Sequence, residues 1–447
     1  MVWSRRLVMA AAAAGMAVAG AGAAPAAAQQ KVGPFTIVIN QSPWFDGFRR
    51  IVELYEERTG NTVELDVNPF GGSLEKQRNS VRAAQGQYDV LIMNSGWYAE
   101  MYAGGFVEAI TDVDPGFKLD PAVYTYDDTI FYDSASKTQN EATGKLMAMP
   151  VNPNIPLLFY RKDLYEQKGL KVPTTWDELY ANAKALHSPP RMYGIVQRGA
   201  RGPHSVAYDW YPYLYGFGGS IFKDQQNNDF TVTINSAEGK AALDYYVRLA
   251  KEVGHPTTAS LDQGAVIQNV VTGKAAHAIL VIAVWPQVED PQKSAVVGKL
   301  ELALPPSAPG VKPAPGLGHW LAGISKNVPM ERKKAAVEFF RWFQTPEAQL
   351  EYAKLGGVPV SAAAYDAPIK AEPQYRWMKA MQEGSPLAVN IYTFPESSEV
   401  IAVLEVEINR AVAGEVGTSE ALNRMADQIE QIMRRHDYKT GKLAALP

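Results

Sequence analysis

Side chains suited to non-covalent recognition stand out in this sequence. The stretch YDWYPYLYGFGG (208–219) sets six aromatic rings in twelve positions. Five of them, Tyr208, Trp210, Tyr211, Tyr213 and Tyr215, carry a polar tip. A plain core would use Leu, Ile and Val, because each buried phenol or indole needs a hydrogen-bond partner. Rings beside the flexible Gly216, Gly218 and Gly219 suit a cleft wall: a flat ring packs on the C–H face of a sugar or polyol, and neighbouring amides meet its hydroxyls. Core packing is the simpler reading for any single tyrosine of the run, and Trp210 is the ring assigned to ligand. Two further segments, NQSPWFDG (40–47) and NSGWY (94–98), join amides to an indole.

Motifs of covalent chemistry are missing. The chain contains no G-x-S-x-G elbow, no G-x-x-x-x-G-K-[ST] loop and no G-x-G-x-x-G fingerprint. The adjacent acids Asp127 and Asp128 have no glycosidase spacing signature and read as a solvated turn. With no cysteine, disulfides and thiol catalysis are excluded. The six histidines are scattered without ligand spacing, so no metal site, cofactor or catalytic residue is expected. A net charge of −4 with no basic cluster gives no ground for nucleic-acid binding.

The elements that must position these residues follow from periodicity. Length alone, 447 residues, predicts two or three domain-sized lobes. FTIVI (35–39), TVELDV (62–67) and DVLIM (89–93) read as strands separated by helices around 48–60 and 73–84, which predicts an open, largely parallel α/β sheet. A second series runs from a strand at 157–160 to a helix at 174–186 with a Thr175–Glu178 capping box. A short strand at 193–196, a helix at 235–254 and a buried strand at 275–284 follow. Strand-like 300–306 and 320–325 precede a helix at 330–344, a Thr345–Pro346 helix start, and closing helices at 397–413 and 418–435. Ligands of open α/β sheets gather outside the carboxyl ends of the strands. That rule singles out Gln41 and Trp44 after the first strand, and Asn94 to Trp97 after the third.

The first 28 residues read as an export signal, with twin Arg5 and Arg6, an alanine-rich run and an A-x-A site for cleavage near Ala28. Neither the Sec nor the twin-arginine route is singled out. An exported, cysteine-free chain fits the bacterial periplasm.

Four stretches carry a resemblance. The chain is similar to the extracellular solute-binding proteins of ABC importers, in the carbohydrate-binding group that includes maltose-binding protein. The stretches are IVELYEERTGNTVELDV with QYDVLIMNSGWYAEMYAGGFVEAI, MAMPVNPNIPLLFYRKDLYEQKGLKVPTTWDEL, INSAEGKAAL with VVTGKAAHAIL, and GHWLAGISKN leading to KKAAVEFFRWFQTPEAQ. The resemblance implies two α/β lobes, 31–111 with 302–345 and 114–299 with 347–447, and hinges near Thr111–Asp114, Leu300–Leu302 and Gln344–Pro346. It implies ligand contacts at Gln41, Trp44, Asn94, Ser95, Gly96, Trp97, Asn154, Trp210, Trp285, His319 and Trp320. It further implies a monomer that delivers a carbohydrate-like solute to an inner-membrane permease and its ATPase, without turnover. Where maltose-binding protein carries acids, this chain shows Asn94, Ser95, Gly96 and Asn154, so a different ligand is expected. That ligand is a small neutral polyol or a solute with an anionic group, for which Arg198 and Arg201 are the candidate partners. The rival readings are a secreted carbohydrate-active enzyme and a two-lobed anion or metal receptor.

Overall fold

The computed structural model describes residues 31–447. The export signal expected over residues 1–28 lies outside them. The strand Phe35–Asn40 is buried at every position but Thr36, the pattern of a strand covered on both faces. It pairs in parallel with Val63–Asn68 on one side and Val90–Asn94 on the other. Val63–Asn68 is the sheet edge and shows Glu64 to solvent, a charge that discourages further pairing. Helices Phe45–Thr59 and Phe70–Arg82 connect these strands. The first ends on Gly60, whose φ of 70° gives the left-handed cap that an L side chain resists.

The sheet is completed from far along the chain. Trp320–Ser325 returns antiparallel beside Val90–Asn94 and pairs onward with Val107–Glu108 and Ala148–Asn152. Trp320–Ser325 alone therefore runs against the other strands: Val107–Glu108 and Ala148–Asn152, antiparallel to it, point the same way as the first three, and the sheet is largely parallel as expected. A second, antiparallel sheet holds Pro156–Arg161 between His277–Val281 and Leu300–Ala303.

Local signals set most helix starts. Thr175 and Glu178 form both halves of the capping box on Trp176–Leu186, the Ser236 hydroxyl accepts the Gly239 N–H ahead of Ala237–Glu252, and Thr345 caps Pro346–Lys354. The chain closes with Ser397–Ala413 and Thr418–Arg435.

Two expected strands are corrected. Residues 193–196 form no strand; Tyr193 makes one isolated bridge to Ala275. A Cβ at Gly194 would stand 2.4 Å from the Ala183 carbonyl oxygen, so the segment is pinned against a helix, and only Tyr193 and Val196 bond the backbone of 274–277. The strand expected over 275–284 stops at Val281 and turns through a 3₁₀ turn, Ile282–Val284.

The aromatic run proves to be a helix, Val206–Gly216, buried at every position but Tyr215. Among the described residues, no helix is long and apolar enough to cross a membrane.

Candidate functional site

The carboxyl ends of Phe35–Asn40 and Val90–Asn94 and the start of Trp320–Ser325 lie side by side, with Trp320 in register opposite Asn94. Across from them stand the segment 198–205, the first turn of the aromatic helix and the helix Gln263–Val271. Between the two sides is a cavity of about 630 Å³, a size that holds a small solute.

Five of the expected residues line it: Gln41, Trp44, Asn94, Asn154 and Trp320. Trp44 leans on Trp320 with ring centres 5.5 Å apart. The indole Nε1 of Trp44 and the Oδ1 of neighbouring Asn40 are buried without a partner, which is costly unless a ligand or water supplies one. Arg198, expected only as a candidate anion partner, lines the cavity too, as does the exposed Arg201.

Six expected residues do not line the cavity, for separable reasons. The Trp97 Nε1 donates to Gln77 Oε1 at 3.2 Å, and its ring meets Phe70 and Trp320 edge-on. It is therefore the layer behind the wall. The Ser95 backbone N–H donates to the His319 carbonyl at 3.0 Å. Gly96 lies under the helix Ser397–Ala413, where a Cβ would come within 2.9 Å of Ile401. His319 precedes Trp320 by one residue and faces away from it, stacking on Tyr126 at 5.4 Å; neighbouring side chains of an extended chain alternate in direction. Trp210 is fully buried in the core. The Trp285 Nε1 donates to the Gln374 carbonyl at 3.0 Å, and the Arg376 guanidinium covers its ring at 4.5 Å. One face of the ring and its N–H, both of which a sugar could use, are taken.

Sequence reasoning missed His204 and Tyr208 as wall residues. Tyr208 is the member of the aromatic run that reaches the cavity, and its hydroxyl donates to the Gly316 carbonyl at 3.2 Å. Gly318, also in the wall, has no room for a side chain: a Cβ would stand 2.2 Å from that hydroxyl. His204 bonds Asn94 across the cleft, Nδ1 to Oδ1 at 3.0 Å. Its positive φ of 63° is uncommon for a non-glycine residue and was the structural signal that no motif could announce.

The electrostatics are balanced locally. Asp209 accepts the Arg198 backbone N–H at 3.0 Å and the Tyr246 hydroxyl at 2.8 Å, and its carboxylate lies 3.5 Å from the Arg198 Nε. Burial pushes the Asp209 carboxyl up, against the pull of Arg198 and Tyr246. Glu405 takes the backbone N–H groups of Gly202, Ser205, Val206 and Ala207. It thereby fills the start of the aromatic helix, where the peptide dipoles favour negative charge. Burial raises the Glu405 carboxyl to about 7 despite those four donors. Arg201 turns its Nε to Asn409 at 2.7 Å. Among the described residues, no group of three or more His, Cys, Asp and Glu side chains could hold a metal ion.

Known proteins are similar to this chain in sequence and in fold. A mannitol-binding protein of Pseudomonas aeruginosa is 23% identical over 377 residues, covering 79% of this chain and 82% of its own. A probable amino-acid ABC transporter periplasmic-binding protein of Sinorhizobium fredii is 21% identical, covering 88% of each chain. An ABC transporter solute-binding protein of Agrobacterium radiobacter, solved in complex with ribitol, superposes with a TM-score of 0.79 at 24% identity, covering 90% of this chain and 99% of that one. The fold is that of the two-lobed periplasmic binding proteins. The profile of bacterial extracellular solute-binding proteins matches residues 39–350. This chain belongs to that family.

Proposed function

We propose that the chain is the periplasmic receptor of an ABC importer and that it captures a neutral, hydroxyl-rich small solute, a sugar or polyol. The observation that carries this reading is the lining of the cavity: amides from both sides, indole rings, and an arginine already matched by a carboxylate. Gln41, Asn94 and Asn154 can each donate to and accept from hydroxyls, while Trp44 and Trp320 offer apolar faces. Asp209 pairs with Arg198 and Glu405 occupies the helix start, which leaves Arg201, bonded to the neutral Asn409, as the place where an anionic group would bind instead. The relatives solved with ribitol and named for mannitol agree with this solute class.

In this reading the lobes are 31–111 with 302–345 and 114–299 with 347–447, except that Ala148–Asn152 pairs into the first sheet and Leu302–Ala303 into the second. The protein works as an exported monomer whose leader is cleaved near Ala28. Its action is binding without turnover: solute contacts to both lobes favour the closed form, which an inner-membrane permease and its ATPase then engage.

A thermal-shift screen of sugars, polyols and their phosphorylated or acidic derivatives tests the class. A neutral polyol should raise Tm; at a hundred times Kd the gain is about 2.7 kcal/mol. A rise given only by the anionic derivatives would replace this solute with an anion. Product formation from glycosides, followed by chromatography, would replace binding with catalysis.

A further inference from the structure

His204 stands where the two lobes touch. Its Nδ1 lies 3.0 Å from Asn94 Oδ1, and the same oxygen accepts the Gly96 backbone N–H at 3.0 Å. That backbone donor fixes which end of the Asn94 amide is oxygen, an assignment otherwise open to a flip. The histidine proton therefore sits on Nδ1. The other ring nitrogen, Nε2, is sealed from solvent and has no hydrogen-bond partner. Around the ring stand Tyr208, Tyr211 and Tyr392, with centres 5.0, 5.9 and 5.5 Å away. A neutral ring leaves only a lone pair there. A protonated ring would bury an N–H and a positive charge with no acceptor, close to Arg198.

We infer that His204 is a latch between the lobes, holding the cleft shut only while its imidazole is neutral, so that solute capture weakens as the medium acidifies. This rests on the reading of the cavity as the solute cleft. In the closed form, burial and then the Arg198 charge push the imidazole down to about 3. In the open form the ring parts from Asn94 and takes its ordinary value near 6.5. The latch thus acts fully above that ordinary value and is lost as pH falls below it. The closed-to-open ratio drops about tenfold per pH unit, or about thirtyfold by pH 5.

The groups facing His204 are Asn94 at the strand end, Arg198 with its partner Asp209, the three tyrosines, and Glu405 on the helix behind its own loop. Glu405 also titrates, but it and the backbone it holds, 202–207, belong to one lobe. His204→Gln keeps Glu405 and so separates the two titrations.

The absence of cysteine permits a direct test. Glu57→Cys and Lys251→Cys, at exposed positions on helices of opposite lobes, carry a fluorophore pair. Transfer efficiency is read at about pH 5 and about pH 8, without ligand and with millimolar D-mannitol. Greater closure at the higher pH is expected in the native background. His204→Gln, whose amide donates to Asn94 without titrating, should show the same closure at both pH values. Equal efficiencies at the two pH values in the native background overturn the latch, and so does a pH change that survives in His204→Gln. A pH-dependent pair that D-mannitol leaves untouched upholds the latch and counts against mannitol as the solute.

Discussion

Trp44 and Trp285 carry the same ring and do different work. Trp44 lines the cavity, while Trp285 is walled in by Gln374, Arg376 and Phe159. Trp285→Ala should cost stability on the order of 3 kcal/mol or more, from the emptied core volume. Its calorimetric Kd for any solute found by thermal shift should stay within about twofold of the native value, less than half a kcal/mol. Gln41 is exposed and lines the cavity, so Gln41→Ala should show the reverse. It should leave Tm in place and weaken binding roughly fivefold, the worth of one hydrogen bond. Gly318→Ala belongs to the same scale. The new methyl would collide with Tyr208, pushing its ring into the cavity, and affinity should fall although no ligand-contacting group is removed. Unchanged affinity in both Gln41→Ala and Gly318→Ala would detach these residues from the site.

The elements show how far sequence reading reaches and where it stops. Helix starts at Thr175, Ser236 and Thr345 were legible because a cap is a contact between neighbours in the chain. Asn94 and Gln41 were legible because strand ends collect ligands whatever the sequence. The aromatic run was legible only as unusual. Once it is a helix, its 3.6-residue period sends Tyr208 toward the cavity and Trp210 into the core, and no rule of composition says which ring faces which way. Trp97 and His319 were misplaced by the same ignorance of direction. His204 was invisible because its partner, Asn94, lies 110 positions away.

The aromatic helix also yields a prediction about its anchor. Glu405 titrates near 7 in the folded protein, above the ordinary carboxylate value near 4.3. Its contribution to stability is therefore full below that ordinary value and lost as pH rises through about 7. Glu405→Gln should abolish that part of the decline, at most about 4 kcal/mol, in denaturant titrations across the interval. An identical pH slope in the variant would mean that Glu405 is not the titrating group.

At the scale of the whole molecule, closure sets affinity. Solute binding must supply the difference between open and closed forms, and any contact already made between empty lobes lowers that cost. Such contacts include the His204–Asn94 bond and the seat of Gly96 under Ile401, where the Ser398 hydroxyl donates to the Gly96 carbonyl at 3.4 Å. Breaking either from one side should weaken binding mainly by slowing closure or speeding release. Asn94→Ala, which removes the acceptor of the latch, should therefore raise the solute off-rate in stopped-flow measurements more than it lowers the on-rate.

The carboxylate of Glu405 has one more consequence, for what this receptor ignores. It is a permanent intramolecular competitor, tied by its own backbone to four amides that would otherwise welcome a phosphate. Even a loosely tethered group rivals a free one at millimolar effective concentration. A phosphorylated solute would find that berth taken and would have to meet its counter-charge at Arg201 instead.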